Sequence, residues 1–258
     1  MSLVLCTRQL TRSFGGLQAV NSLDLDVYEG EILGLIGPNG AGKTTVFNLI
    51  SGFLSPNRGS VIFLGADITG WAPYRIARFG ISRVFQQGLT FVGLTVLDNV
   101  LVGLHKSHQA SLVSSVLRTG AARAEERRLR DRGMDLLDLM GIQSLWDREP
   151  ASLPHGHQMT LGLAVALASM PKLLLLDEPA TGMNPSESDA MVEHIRRIRD
   201  SGVTIVVVEH DMRMVRKLCD RLVCMNFGNK LCEGDPNFVT SHPDVCKAYL
   251  GKGTFDAA

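Results

Sequence analysis

The sequence has no net charge, no long apolar run and few cysteines. These features argue against a nucleic-acid-binding protein, a membrane-spanning helix and a zinc site, respectively. The 258 residues contain 26 Lys and Arg against 26 Asp and Glu, so the formal net charge is zero. Nucleic-acid-binding domains usually carry a basic excess, and we therefore expect no nucleic-acid partner. The longest apolar stretches, residues 161–170 and 173–176, are far shorter than the roughly 20 residues that span a bilayer as a helix.

The cysteines form no recognisable ligand set. Their number is odd, and no CxxC pair or Cys/His cluster has the spacing of a zinc site. We therefore interpret them as reduced thiols in a reducing compartment. The first residues, MSLVLC, lack the basic and apolar segments of a signal peptide, which favours a cytoplasmic location. The cysteines are Cys6, Cys219, Cys224, Cys232 and Cys246.

Apolar strand-like runs alternate with helical patterns along much of the chain. This alternation is typical of an α/β protein with a parallel sheet that is covered on both faces. Near residue 195 the apolar positions Met191, Ile195 and Ile198 are spaced as on one face of a helix. We predict strands at 31–36, 61–64, 81–85, 173–176 and 203–208, and helices at 42–51, 73–79 and 186–200.

The middle of the chain has a different character. Residues 88–150 contain no convincing strand after 91–92, whereas 95–104 and 121–140 have helical composition. A charge run from Arg123 to Arg132 interleaves both signs, which favours a solvated helix face over a nucleic-acid patch. We therefore expect a helical insertion within an α/β core.

Residues 37–44 read GPNGAGKT and fit the G-x-x-x-x-G-K-[ST] pattern of a phosphate-binding loop. The glycines would let successive backbone N–H groups point at phosphate oxygens, and the following helix would direct its positive end at the same anion. Lys43 would neutralise phosphate charge, and the hydroxyl of Thr44 would bind Mg²⁺. The predicted nucleotide-binding residues are Gly37, Asn39, Gly40, Ala41, Gly42, Lys43, Thr44 and Thr45.

An acidic pair supports the same interpretation. Residues 173–179 read LLLLDEP, a buried strand that ends in two adjacent carboxylates. Such carboxylates are costly to bury unless they meet a cation or a hydrogen-bond donor. Asp177 would hold Mg²⁺ through water, and Glu178 would act as the general base that polarises the attacking water. Together the two motifs predict an ATPase or a GTPase.

With these motifs in this order, the sequence resembles the nucleotide-binding subunits of ATP-binding cassette (ABC) transporters over nearly its whole length. The resemblance implies that Phe14 stacks on adenine and that Gln86 senses the γ-phosphate and Mg²⁺. It also implies that His210 contacts the γ-phosphate and that 181–184, TGMN, couple two nucleotide sites. Guanine-specific motifs are not visible, so we expect ATP with Mg²⁺.

Residues 153–158, LPHGHQ, match the family's signature motif, which reaches the ATP of a partner cassette through Gly156 and His157. The match departs from the commonest form, LSGGQ. Pro154 replaces the serine and removes a hydroxyl and an N–H group, and His157 replaces the glutamine. Either the change is tolerated, because the helix N-terminus still supplies donors, or the composite site hydrolyses ATP weakly.

The family fold implies a P-loop NTPase (RecA-like) parallel sheet core, an N-terminal antiparallel β subdomain and an inserted all-helical signature subdomain. We place the core at 1–87 and 171–258 and the helical subdomain at 88–170. The implied partners are transmembrane permease subunits, a second ATPase subunit (a paralogue or a second copy) in a head-to-tail dimer and, indirectly, an extracytoplasmic solute-binding protein. The chain would then be peripheral on the inner face of the cell membrane.

The long helical region and the C-terminal stretch 242–251 look like the larger ATPase subunit of branched-chain amino acid importers. Sister systems move urea, amides or other small solutes. The ATPase of a lipopolysaccharide exporter and a soluble ABC ATPase outside transport are the alternatives. We expect the permease to contact residues 86–91, with Leu89 or Phe91 against its cytoplasmic helix.

Overall fold

A computed structural model describes residues 2–85, 90–91, 93–105 and 120–250. Their contacts divide the chain into two units. Unit 1 comprises the described parts of 1–83, 172–178 and 198–258, and unit 2 those of 84–171 and 179–197. Residues 179–197, which the sequence places with the core, thus group with unit 2, and the domain boundaries at 88 and 170 stay a prediction.

The secondary structure follows the predicted alternation. In chain order the elements are β1 (Leu3–Phe14), β2 (Leu17–Tyr28), β3 (Ile32–Ile36), α1 (Lys43–Ile50), β4 (Arg58–Phe63), β5 (Ala66–Asp67), α2 (Pro73–Phe79), β6 (Ile81–Val84), α3 (Val96–His105), α4 (Gly120–Leu139), α5 (His155–Ala168), β7 (Leu173–Asp177), α6 (Pro185–Asp200), β8 (Thr204–Val208), α7 (Met212–Leu218), β9 (Arg221–Asn226), β10 (Asn229–Gly234), α8 (Pro236–Ser241) and α9 (Pro243–Leu250). Two short 3-10 turns, Gln143–Leu145 and Pro150–Ser152, precede α5.

Unit 1 contains both sheets. One is four-stranded and antiparallel in the order β2-β1-β4-β5. The other has six strands in the order β10-β9-β3-β8-β7-β6, and the pairs β9–β3, β3–β8 and β8–β7 are parallel. The residues of β3 and β8 are all buried, as expected for strands covered on both faces. The predicted fold class, a parallel core with an N-terminal antiparallel sheet, is confirmed.

Strand direction brings three loops to one edge of the larger sheet. Because β3, β7 and β8 are parallel, the segments that follow them leave from the same side. Asp177, the last residue of β7, lies opposite Val208, the last residue of β8. This edge therefore collects the phosphate-loop pattern, the acidic pair and the segment that begins at Glu209.

Unit 2 is helical in its described part. The charge run of α4 is exposed, while Leu129 on the same helix is 7 % exposed, which confirms the predicted solvated face. Helix α5 buries much of its surface, including Leu161 and Leu163. On α6, Met191 and Ile195 are buried as their spacing predicts. Among the described helices, none has both the length and the apolar character of a membrane span.

Candidate functional site

The phosphate-loop pattern forms a tight turn between β3 and α1 that only glycine fits at two positions. Gly42 is the N-cap of α1 with φ 106°, and a Cβ there would lie 2.2 Å from the carbonyl oxygen of Ala19 in β2. At Gly37, φ is 150° and a Cβ would lie 2.2 Å from the carbonyl oxygen of Met225 in β9. The main chain of this loop therefore packs closely against β2 and β9. No side chain at Gly42 covers the N-terminus of α1, which can bind an anion.

The side chain of Lys43 is hydrogen-bonded to the main chain of its own loop. Its Nζ donates to the carbonyl oxygens of Gly37, at 2.6 Å, and Pro38, at 3.2 Å, and the residue is 7 % exposed. Burial lowers the pKa of Lys43 below its usual value, and the nearby Glu178 partly opposes that shift. An ammonium in this position has lost water and gains most from a phosphate group.

The remaining predicted loop residues present polar groups at the surface of the turn. Asn39 and Gly40 are exposed, Gly40 with φ 84°, and Ala41 is buried with its N–H bonded to the Pro38 carbonyl at 3.0 Å. At the start of α1, Thr44 is exposed and Thr45 is half-buried. The Thr44 hydroxyl is therefore open to a ligand.

Asp177 has a partner that the motifs did not reveal. Its Oδ2 accepts a hydrogen bond from Nη2 of Arg83 in β6 at 2.7 Å, and the two side chains are 14 % and 6 % exposed. The guanidinium also donates to Asn48 Oδ1 at 2.7 Å and to Ser51 Oγ at 3.3 Å, both on or next to α1. A charged residue between Ile81 and Val84 in a short predicted strand was the available signal in the sequence.

Glu178 follows β7 in a left-handed backbone conformation, with φ 49°. Its N–H donates to the carbonyl of Val208 at 2.9 Å, which holds this turn to the end of β8. The side chain is 24 % exposed, and its Oε2 lies 3.7 Å from Nδ1 of His210. A strained residue that projects a carboxylate beside a histidine is typical of a catalytic site.

His210 extends from the same edge with a side chain that is 56 % exposed. Its backbone N–H donates to Oε2 of Glu209 at 3.2 Å, and Glu209 is 1 % exposed. The structure thus brings Lys43, Glu178 and His210 together in unit 1. Glu209, a buried carboxylate next to the predicted histidine, is a second residue that the motifs did not identify.

Phe14 ends β1 at the hairpin and is 44 % exposed, with the Arg12 guanidinium 4.9 Å from its ring centroid. An exposed aromatic face of this kind can stack on a base. Gln86 and Leu89 lie outside the described residues. Phe91 is 50 % exposed, and its N–H donates to Asn99 Oδ1 at 2.7 Å.

In unit 2, the signature-like residues form the first turn of α5. Pro154 is the N-cap and supplies no side-chain cap, while its carbonyl accepts the N–H of His157 at 3.0 Å. The His157 side chain is exposed, and Gly156 is half-buried. The Nε2 atom of Gln158 donates to the Leu153 carbonyl at 2.9 Å. The free N–H groups of this turn and the exposed imidazole are available to an anion.

The donor set of unit 1 fits a nucleotide with Mg²⁺. A turn whose two glycines leave no room for a Cβ, a buried ammonium and a helix N-terminus suit phosphate groups. Among the residues that the structure describes, no cluster of three or more His, Cys, Asp or Glu could hold a metal ion by itself. Mg²⁺ is commonly held by one or two carboxylates together with substrate phosphates, which the Thr44 hydroxyl and Asp177 would complement.

Curated relatives match the chain over nearly its whole length. The chain is 38 % identical over 250 residues to the high-affinity branched-chain amino acid transport ATP-binding protein LivG of Escherichia coli (strain K12), which covers 96 % of this chain and 98 % of LivG. It is 38 % identical over 244 residues to the corresponding protein BraF of Pseudomonas aeruginosa, covering 94 % of this chain and 96 % of BraF.

Solved structures of ATP-binding cassettes are also similar to this chain. The ADP conformation of an ATP-binding cassette of an ABC transporter superposes with a TM-score of 0.84 at 28 % identity, covering 98 % of this chain and 100 % of that one. A nucleotide-free cassette from an ABC transporter gives a TM-score of 0.83 at 28 % identity over 97 % and 100 % of the two chains. The profile of the ABC transporter family matches residues 20–181. This chain, with its glycine-wound phosphate loop and paired carboxylates, therefore belongs to the ABC transporter family.

Proposed function

We propose that the chain binds and hydrolyses ATP to power an ABC importer of branched-chain or other hydrophobic amino acids. The observation that carries the proposal is Lys43, a buried ammonium inside a glycine-rich loop at the sheet edge where Asp177 ends β7 and Glu178 follows it. ATPase activity also agrees with membership of the family. The solute class follows the printed function of LivG and BraF.

Each residue of the site has a defined task in hydrolysis. Lys43 and the unbonded backbone N–H groups of the loop bind the phosphates, and Phe14 stacks on adenine. Thr44 and Asp177 would hold Mg²⁺, which would supply positive charge beside the transferred phosphate. Glu178 accepts a proton from the attacking water, while His210 donates a hydrogen bond to the γ-phosphate. Gln86 joins this set by sequence motif alone.

The working assembly is a head-to-tail pair of cassettes on the cytoplasmic face of transmembrane permease subunits. In that pair, Gly156 and His157 of one cassette close over the ATP that is bound to the phosphate loop of the other. An extracytoplasmic binding protein selects the solute for the permease. The second cassette is either a copy of this chain or a paralogue.

Replacement of Glu178 by glutamine tests the catalytic assignment. Glutamine keeps the size of the side chain and one acceptor oxygen but cannot accept the proton, so ATP should bind normally while phosphate release falls below about 1 % of the wild-type rate. Binding is followed with a fluorescent ATP analogue and turnover by phosphate release. A Glu178→Gln protein that keeps its turnover would remove Glu178 as the base.

The solute is tested in vesicles that contain a candidate permease, with a candidate binding protein outside and the cassettes inside. ATP should drive uptake of labelled leucine, and Lys43→Ala cassettes should not. Labelled urea and acetamide serve as competing solutes. Uptake of urea without leucine would assign the chain to a sister system and leave its ATPase role intact.

A further inference from the structure

Arg83 is a buried charge with several side-chain partners, one of which is Asp177. Its guanidinium makes an ion pair with Asp177 and hydrogen bonds with Asn48 and Ser51. The guanidinium carbon also lies 5.5 Å from the centroid of the Phe47 ring. Four groups from two different elements therefore fix the orientation of one side chain that is 6 % exposed.

Stability alone is a weak explanation for such an arrangement. Removing a guanidinium and a carboxylate from water costs several kcal/mol per ion, and their attraction often does no more than offset it. An apolar pair of similar volume would commonly serve a fold as well. A buried ion pair whose carboxylate is a predicted metal-binding group is therefore better explained by what it does to that carboxylate.

The geometry leaves one carboxylate oxygen for another purpose. Arg83 occupies Oδ2 of Asp177, and in the described part of the chain no donor is bonded to Oδ1. Asn48 lies on α1, the helix whose first turn carries Thr44. Through Asn48 and Asp177, Arg83 thus links the two elements that supply the predicted Mg²⁺ ligands.

We propose that Arg83 is a positioning residue for Mg²⁺: it holds Asp177 so that Oδ1 faces the metal-bound water and keeps β7 at a fixed distance from α1. The proposal rests on the role proposed above for Asp177. The guanidinium of Arg83 is buried and bonds protein side chains, so we assign it no contact with the nucleotide. Its effect should therefore be confined to the contribution that Mg²⁺ makes to nucleotide binding.

The test measures binding of a fluorescent, non-hydrolysable ATP analogue, first in EDTA and then along a Mg²⁺ titration. For Arg83→Gln, affinity in EDTA should stay within about twofold of wild type, because the phosphate loop is intact. The Mg²⁺ concentration for half-maximal enhancement should rise about 10-fold or more, the usual effect of removing a group that orients a metal ligand. Arg83→Lys keeps the positive charge but lacks the planar guanidinium. Its Mg²⁺ requirement should therefore lie between those of the wild type and Arg83→Gln.

Arg75→Gln is the matched control, because Arg75 is exposed on α2 and lies 3.5 Å over the Trp71 ring, away from the phosphate loop. It should leave both measurements at wild-type values. If Arg83→Gln fails to fold, Asn48→Ala removes one anchor of the guanidinium and retains its charge. The Mg²⁺ requirement should then rise by a smaller factor of about three to five.

Asp177→Asn separates this proposal from the one on which it rests. If Asp177→Asn raises the Mg²⁺ requirement and the Arg83 and Asn48 variants do not, Arg83 is only structural and the inference is overturned. If Asp177→Asn leaves the Mg²⁺ requirement unchanged, the proposed role of Asp177 fails first. Equal losses in EDTA and in Mg²⁺ for Arg83→Gln would likewise contradict a positioning role.

Discussion

Lys43 shows at the scale of one residue how the loop prepares for a phosphate group. Its ammonium bonds to two carbonyls of its own loop, which hold it in place but compensate little of its lost hydration. Lys43→Ala should therefore weaken ATP binding by about 100-fold, measured by titration of a fluorescent analogue. Lys172→Ala, at an exposed position, should have no effect. Tight binding by Lys43→Ala would place the phosphates elsewhere.

The lowered pKa of Lys43 predicts a proton uptake on ATP binding. Burial favours the neutral amine in the free protein, and a bound phosphate favours the ammonium, so the pKa rises on binding. At alkaline pH between these two pKa values, binding takes up a proton, and affinity falls as pH rises. Calorimetry in buffers of different ionisation enthalpy measures the uptake. Lys43→Arg, which stays charged, should abolish it.

Single residues also show what a sequence can and cannot reveal about this site. The phosphate loop and the acidic pair are contiguous patterns, and the structure brings Lys43 and Glu178 together at one sheet edge. Arg83 is 94 positions from its partner Asp177, and no local pattern reports an ion pair over that distance. Gln86, Phe14 and the signature residues remain predictions about function.

At the scale of the element, α5 begins without a side-chain cap. Pro154 stands where serine or threonine would bond an open N–H group, a substitution typically worth about 1 kcal/mol of helix stability. If the departures from LSGGQ weaken hydrolysis, the double variant Pro154→Ser, His157→Gln should raise the ATPase rate. Phosphate release at saturating ATP measures it. An unchanged rate would favour the tolerated-change interpretation.

On α6, His194 predicts how unit 2 responds to acid. It lines a cavity of about 130 Å³ together with His157 and Glu187, and in the described part of the chain its Nδ1 has no hydrogen-bond partner. Burial lowers the pKa of His194, and the charges of Arg197 and His157 add to the effect. The pKa of His194 is about 6.5 in the unfolded chain and lower in the folded protein. The contribution of the neutral ring to the free energy of unfolding is therefore fully present above about pH 6.5, and it is lost as the pH falls through the folded pKa.

His194→Gln should therefore flatten the decline of the melting temperature between neutral and mildly acidic pH. Differential scanning fluorimetry over a pH series measures the slope. Gln143→Ala, at an exposed and non-titrating position of unit 2, is the control and should keep the wild-type slope. An unaltered slope for His194→Gln would assign the acid sensitivity to other groups.

The strands differ in how closely the sequence predicts them. Strands β3, β7 and β8 are almost wholly buried and consist mainly of apolar residues, so their positions are predicted closely. In β1 the alternation is broken by shifts of register between Thr7 and Arg12, and Gln9 has φ 47°. Only the family resemblance indicated the antiparallel sheet that contains β1.

At the scale of the whole molecule, the proposed dimer can be measured directly. Glu178→Gln protein should bind Mg-ATP without turning it over, so closed pairs should accumulate. Light scattering with and without Mg-ATP should then show a monomer that becomes a dimer. A dimer would show that two copies of this chain close over ATP despite Pro154 and His157. A monomer under both conditions would point to a paralogous second subunit or to a need for the permease.

The left-handed backbone of Glu178 has a consequence for anyone who tries to make this protein more robust. A non-glycine residue in that conformation costs about 1–2 kcal/mol, and glycine or asparagine would relieve much of it. Neither replacement carries a carboxylate. A selection for thermal stability alone would therefore enrich variants that are more stable but cannot hydrolyse ATP. A library of variants made for that purpose should keep Glu178 unchanged.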